Sequence, residues 1–192
     1  MNLGLLVEGH GECYAAPILV RRIADSLGVS CVVRSVLRQP RSTIIKAGEL
    51  ERAVTLLGNK VGSGGAVLVL IDGDDDPACT FGPELLARAQ IARPDQRVGV
   101  VLAVREYEAW FLAAADSLRG RRGLPADLEA PASPEAMRDA KGWLSAQMPR
   151  GYSPTADQPA LTDLFDLELA RSSPSFAKLF RELTRLLAAN DA

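Results

Sequence analysis

Residues 66–71 are an unbroken apolar run, Ala-Val-Leu-Val-Leu-Ile, that ends on Asp72-Gly73-Asp74-Asp75-Asp76 and Pro77. The run is too short for a typical helix and too uniformly apolar for a strand with one wet face, so it reads as a strand buried on both sides. Such strands belong to parallel sheets with helices over each face. Residues 3–7 form a second apolar run of the same kind, ending on Glu8-Gly9-His10-Gly11-Glu12. Two buried strands therefore each deliver an acidic, glycine-bearing turn.

The remaining pattern fits that frame. Short β-rich runs at residues 2–7, 31–37, 66–71 and 97–104 alternate with amphipathic stretches at residues 14–27, 49–57 and 83–91. Beyond about Glu106 only helical patterns follow, at residues 106–118, 134–147, 161–170 and 174–188. The expectation is an α/β fold, a Rossmann-like, mainly parallel sheet flanked by helices, with a helical C-terminal portion. Residues 1–118 would form the core and residues 119–192 an extension packed on it as one unit, a size at which a single core need not split. Trp110, Phe111 and Leu112, with Tyr107, read as core residues that fasten a helix to the sheet. Residues 119–134, rich in Gly, Pro, Ala and charge, read as a surface loop.

A net charge of -2 gives no global attraction to nucleic acid, so contact with a polyanion would need a local basic patch and bound metal. Arg34, Arg38, Arg41 and Lys46 form either such an edge or a plain solvated surface. Cys13, Cys31 and Cys79 lack CxxC spacing and are odd in number, which argues against a disulfide framework and against a zinc site. The amino terminus has no basic segment leading into a signal core, and no apolar run approaches the roughly 20 residues that span a bilayer. The expected setting is the cytoplasm, with no membrane partner.

In open α/β sheets ligands gather beyond the carboxyl ends of the strands. Glu8, Glu12, Asp72, Asp74 and Asp76 converging there would repel one another unless a hard cation sat among them. Carboxylates with little nitrogen or sulfur nearby select Mg2+ or Mn2+ over zinc, and Mg2+ sites of this kind commonly take substrate phosphate. Other motifs fail on their own terms. An EF-hand would require Gly where Pro77 stands and an acid where Pro83 stands, and residues 58–65 lack the residue order of a P-loop. An aspartyl-phosphate phosphatase with Asp72 as nucleophile leaves Glu8 unexplained and ranks second among enzymes.

At these residues the chain resembles the Toprim family of topoisomerases, primases and overcoming-lysogenization-defect (OLD) nucleases. Glu8, Gly9 and Glu12 match the OLD form Glu-Gly-x-x-Glu, and Asp72 and Asp74 match its Asp-x-Asp. Residues 104–112, Val-Arg-Glu-Tyr-Glu-Ala-Trp-Phe-Leu, with Tyr152, Asp157-Gln158-Pro159 and Ser173-Pro174-Ser175-Phe176, further resemble DUF4276, an uncharacterised bacterial family in the Toprim-like group. That likeness covers nearly the whole chain. It implies a Toprim-like fold with Glu8 as general base or metal ligand, Glu12 holding a metal, and Asp72 and Asp74 coordinating. A later acid, Glu106 or Glu108, and a lysine, Lys141, are implied as further members. Glu106 and Glu108 also sit where acids favour a helix start, and Lys141 could lie on a solvated face. His10 stands where the resembled motif often has a small hydroxyl residue, and its role is open. The implied activity is that of a Mg2+- or Mn2+-dependent nuclease or related phosphodiester enzyme on DNA or RNA. A separate ATPase chain and a place in phage defence follow from the OLD likeness. The non-enzymatic alternative is a metal-stabilised binding or regulatory module.

Overall fold

Strand β1 (Asn2–Val7) leads through α1 (Glu12–Ser26) to β2 (Val32–Arg38). A one-turn helix α2 (Arg41–Ile44) and α3 (Glu49–Val61) then carry the chain across to β3 (Ala66–Asp72), and α4 (Ala78–Ala92) links β3 to β4 (Arg97–Ala103). The computed structural model describes residues 1–188. The last part of the predicted extension, residues 189–192, lies outside the described residues.

All neighbouring strands pair in parallel, in the order β2-β1-β3-β4. Alternate strand residues face opposite layers, as the period of two requires. Leu3, Leu5, Val7, Leu68 and Leu70 pack in the layer with α1, whereas Leu6, Val67, Val69 and Ile71 pack in the layer with α3 and α4. Every residue of β3 is buried, which is why residues 66–71 are apolar without alternation before the strand ends on Asp72. The chain goes from β1 outward to β2 and then returns past β1 to β3, so the strand order reverses between β1 and β3. Val7 is in register with Leu70, which leaves Glu8 and Asp72 within about one residue of the same level at that switch point.

Past β4 come α5 (Ala109–Ala113), a 3-10 turn at Ala115–Leu118, another at Pro134–Ala136, and helices α6 (Ala140–Gln147), α7 (Pro154–Leu164), α8 (Leu167–Ala170) and α9 (Pro174–Leu187). An aromatic cluster ties these helices to the sheet layer. Trp110 meets Tyr107 at 4.7 Å and Phe176 at 5.4 Å between ring centroids, and Phe165 meets both Phe111 and Phe176 at 5.6 Å. Each such pair contributes about 0.5–1.5 kcal/mol beyond its buried area. The two polar tips in the cluster are satisfied: Tyr107 Oη lies 3.0 Å from Thr162 Oγ1, and Trp110 Nε1 donates to Ser175 Oγ at 2.8 Å.

Three predicted helices differ in extent. Residues 104–108 are a turn rather than helix, with Arg105 at φ 64°, and α5 begins only at Ala109. The 134–147 stretch is interrupted because Asp139 caps α6 from outside, accepting the Gly142 N–H at 2.7 Å. The 161–170 stretch is two helices: α7 starts earlier, with Pro154 at its first position, and Asp166 caps α8 through the Glu168 and Leu169 N–H groups. Among the described residues no helix is long and apolar enough to cross a membrane.

Candidate functional site

A cavity of about 390 Å3 opens at the carboxyl ends of β1 and β3. Residues 8–11 turn out of β1 directly into α1. Glu12 closes that turn, its Oε2 accepting the N–H groups of Glu8 at 3.0 Å and Gly9 at 3.2 Å. These are donors that neither strand nor helix would satisfy. Close approach dictates glycine at Gly11, where a Cβ would stand 2.5 Å from the Pro154 carbonyl oxygen at the start of α7. That backbone atom cannot swing aside.

Across the switch point, Asp72 is nearly buried and its Oδ1 accepts the Tyr107 N–H at 2.8 Å. Its Oδ2 stands 3.5 Å from the Nζ of Lys141, which reaches in from α6. The same Nζ lies 3.0 Å from Glu106 Oε1 and 3.3 Å from Glu108 Oε2. Glu106 also accepts the Lys141 backbone N–H at 3.1 Å, so one carboxylate holds the lysine at both ends. Glu108 is fully buried, and its Oε1 accepts Tyr152 Oη at 2.9 Å and Gln158 Nε2 at 3.3 Å. Its Oε2 is within ion-pair reach of Lys141 but not aligned for a hydrogen bond. Together with Glu8 Oε2, it is a buried carboxylate oxygen lacking a hydrogen-bond partner among the described residues.

Glu8, Glu12, Asp72 and Glu108 gather about one ammonium, that of Lys141, with the Arg41 charge also reaching Glu8, and the imbalance shows in the proton affinities of these four carboxyls. Burial first, and the Asp74 charge second, raise the Glu8 carboxyl. Burial, reinforced by Glu108 and Glu8 and only partly offset by the two backbone donors, pushes Glu12 up to about 7. Burial and the charge of Glu12 hold Asp72 well above the usual carboxylate range despite Lys141. Burial likewise raises Glu108. For Lys141 burial opposes the charge, yet Glu108, Asp72 and Glu106 outweigh it and raise its proton affinity.

The aspartate turn beyond Asp72 goes elsewhere. Asp74, in the left-handed region at φ 47°, bridges to Arg105, and its side chain is 62% exposed. Arg41 Nε lies 3.7 Å from Asp74 Oδ2, its guanidinium pairs with Asp76, and it rests over the Phe81 ring at 5.3 Å. Asp75 pairs with Arg105 and, at 3.1 Å, with Arg138. The structure thus brings Glu8, Glu12, Asp72, Glu106, Glu108 and Lys141 together, leaves Asp74 at the rim where its charge still reaches Glu8, and turns Asp76 to Arg41. His10 is exposed on the lining of the cavity. Of the basic residues at 34–46, Arg38 donates to the Glu8 carbonyl at 3.3 Å and Arg34 to the Asn2 side chain at 3.0 Å.

Sequence reasoning gave no role in the site to Tyr152 and Gln158, which grip Glu108, and read Arg41 only as part of a basic edge or a solvated surface. Position in the chain was no guide, because α7 is carried to the pocket by tertiary packing, chiefly on α1. Gln158 does lie in the Asp157-Gln158-Pro159 stretch already singled out, a polar pair interrupting the apolar side of a helix. Among the described residues no group of three or more His, Cys, Asp or Glu side chains is assembled to hold a metal ion. Lys141 Nζ stands between Asp72, Glu106 and Glu108 instead. The donor set nevertheless fits a hard cation: all are carboxylate oxygens, their charge exceeds the compensation available, and Glu8 Oε2 is buried and unpartnered.

The family model described as "Domain of unknown function (DUF4276)" matches residues 7–184. No curated protein and no solved structure matches the chain.

Proposed function

The chain belongs to the DUF4276 family, and from that premise and the carboxylate pocket we propose that it is a Mg2+- or Mn2+-dependent nuclease, or a related phosphodiester-cleaving enzyme, with a Toprim-like site. The observation that carries the reading is the surplus of buried negative charge at the switch point between β1 and β3. Glu8, Glu12 and Asp72 would hold the cation, with Asp74 at the rim. When bound, such an ion supplies Lewis acidity toward a phosphoryl oxygen and lowers the pKa of its own water.

The chain's own groups have separable tasks. Glu8, with an unpartnered buried oxygen and a raised carboxyl, is placed to take a proton at the cavity mouth, or to share in holding the cation. Lys141 presents an ammonium to an incoming phosphoryl oxygen, where fixed positive charge in a partly dry cavity stabilises developing negative charge. Glu106 and Glu108 position that ammonium, and Tyr152 and Gln158 keep Glu108 from following a substrate.

The test is incubation of the purified protein with supercoiled DNA, single-stranded DNA and RNA, with Mg2+ or Mn2+ and with chelator, alongside calorimetry of metal binding. Cleavage that requires the metal is expected. Metal binding with no cleavage of any substrate would favour the second reading, a binding or regulatory module. One observation speaks for that module: the Lys141 ammonium lies within ion-pair reach of Asp72, Glu106 and Glu108 at once. Absence of metal binding would defeat both. Action beside a separate ATPase chain in phage defence belongs to the same proposal and rests on the resemblance to OLD nucleases. Affinity purification from the native host that recovers no ATPase would count against it.

A further inference from the structure

Next to the carboxylate pocket lies a second cavity, of about 400 Å3, with the opposite chemistry. Arg122 and Arg150 line it, Met148 and Pro149 form an apolar wall, and Ser153 and Asp157 border it from the start of α7. The two cavities share that turn, since Pro154, Thr155 and Gln158 border the carboxylates. Asp157, the one acid of the lining, is engaged twice: its Oδ1 accepts Arg122 Nη2 at 2.8 Å and its Oδ2 accepts the Ser153 N–H at 2.9 Å. Arg150 is exposed and enters no ion pair among the described residues. The lining therefore keeps a net positive charge, beside the positive end of α7.

We propose that this cavity is a phosphodiester subsite, which takes a backbone phosphate flanking the one that enters the carboxylate pocket, with its sugar and base against Met148 and Pro149. The inference rests on the nuclease reading. A chain of net charge -2 has no general attraction for a polyanion, and the carboxylate pocket itself repels phosphate. A strand must be held from a neighbouring cationic place, and the planar guanidinium fork suits a phosphate better than an ammonium does.

Arg150→Ala removes the uncommitted guanidinium. Arg122→Gly removes the other one at φ 51°, a backbone conformation that glycine adopts without strain. The control, Arg52→Ala on α3 in the opposite layer, removes the same charge from an exposed position. Binding of short fluorescein-labelled DNA and RNA strands is read by anisotropy over a salt series in chelator, and cleavage kinetics are read with Mg2+. Each cavity variant should weaken strand binding about fivefold, lessen the slope of log K against log salt by about 0.7–0.9, and raise KM more than it lowers kcat. The control should match wild type. Cavity variants that behave like the control, in a wild type that binds and cleaves, would overturn the subsite and leave the nuclease reading standing. A wild type that neither binds nor cleaves would end both. Displacement of the strand by inorganic phosphate or a mononucleotide alone, at equal concentration, would assign the cavity to a small phosphorylated ligand and also overturn the proposal.

Discussion

Asp72 and Asp74–Asp76 belong to one acidic run, yet the protein treats them as two different materials. Asp74, Asp75 and Asp76 lie in water with Arg41, Arg105 and Arg138 beside them. Asp72 is drawn under the surface with Glu8, Glu12 and Glu108, where Lys141 is the one ammonium. Exposed pairs cost little and contribute little, on the order of 0–1 kcal/mol. Buried carboxylates without full compensation cost several times more and persist only where the fold holds them in place. The aspartate turn is therefore a clamp whose charge is settled, and the pocket holds buried negative charge that its ammonium does not balance. The clamp serves the pocket: it holds the turn that follows Asp72, whose Oδ1 fixes the Tyr107 N–H at the head of the next turn.

The widest gap between the two regions should appear in activity. Asp72→Asn keeps an acceptor for Tyr107 and removes the charge, so we expect metal-dependent cleavage to fall at least about 100-fold, equivalent to about 3 kcal/mol. The metal-free thermal midpoint should hold or rise, because one member of a repelling set has been neutralised. Asp76→Asn, the same chemical change four residues later, should leave cleavage within about twofold, since Arg41 rather than a ligand is its partner. Equal losses in a side-by-side assay would erase the distinction.

The pH dependence of stability sets the pocket apart by sign from an ordinary ion pair such as that of Glu51 with Arg88 on the far layer. Glu12 titrates near 7 when folded against an ordinary 4.5, so between those values the native state binds more protons than the unfolded chain and stability falls as pH rises. Its contribution is fully present below the lower value and gone above the higher, up to about 3 kcal/mol. Glu51, whose carboxyl is held low chiefly by its hydrogen bonds from Arg88, does the reverse: its contribution is present above the ordinary value and lost as pH falls through the folded one. On the proposed reading, Mg2+ would compete with the pocket protons. Its stabilising shift should thus be larger near pH 8 than near pH 5, reaching about 2.7 kcal/mol at a hundredfold excess over Kd. Differential scanning calorimetry with and without Mg2+ checks this, and a metal-free protein that gains stability steadily from about pH 5 to 8 would contradict it.

The sheet was legible because burial on both faces forces an unbroken apolar run, and residues 66–71 are such a run. Glu8 and Asp72 were legible as the first polar residues after such strands. The different fates of Asp72, Asp74 and Asp76 were not, because the left-handed backbone at Asp74 and the bridge to Arg105 turn the chain away, and nothing local separates those aspartates. The meeting of Lys141 with Glu106 spans 35 residues of chain, and it was the family resemblance, not any local pattern, that named both as members of the site. Helix breaks at Asp139 and Asp166 went unread because apolar periodicity continues through a capping residue, and the cap shows itself only in which N–H it accepts.

The smallest predicted effects compare two cations. Lys141→Met leaves Glu108 fully buried, with hydrogen bonds from Tyr152 and Gln158 but no positive charge. Breaking a buried pair costs about 3–5 kcal/mol, and the 36% exposure of Lys141 lowers the expected loss to about 2 kcal/mol. That loss should shrink on acidification, because a protonated Glu108 needs no partner and burial has already raised its carboxyl. Arg105→Gly removes a guanidinium from Asp75, which keeps Arg138, and frees a left-handed backbone that costs a side-chain residue about 1 kcal/mol. Lost pair and relieved strain nearly cancel, so urea unfolding should show a change under about 1 kcal/mol that is insensitive to pH. An Arg105→Gly loss as large as that of Lys141→Met would mean that the clamp bears load of its own, and the division between settled and unsettled charge would have to be redrawn.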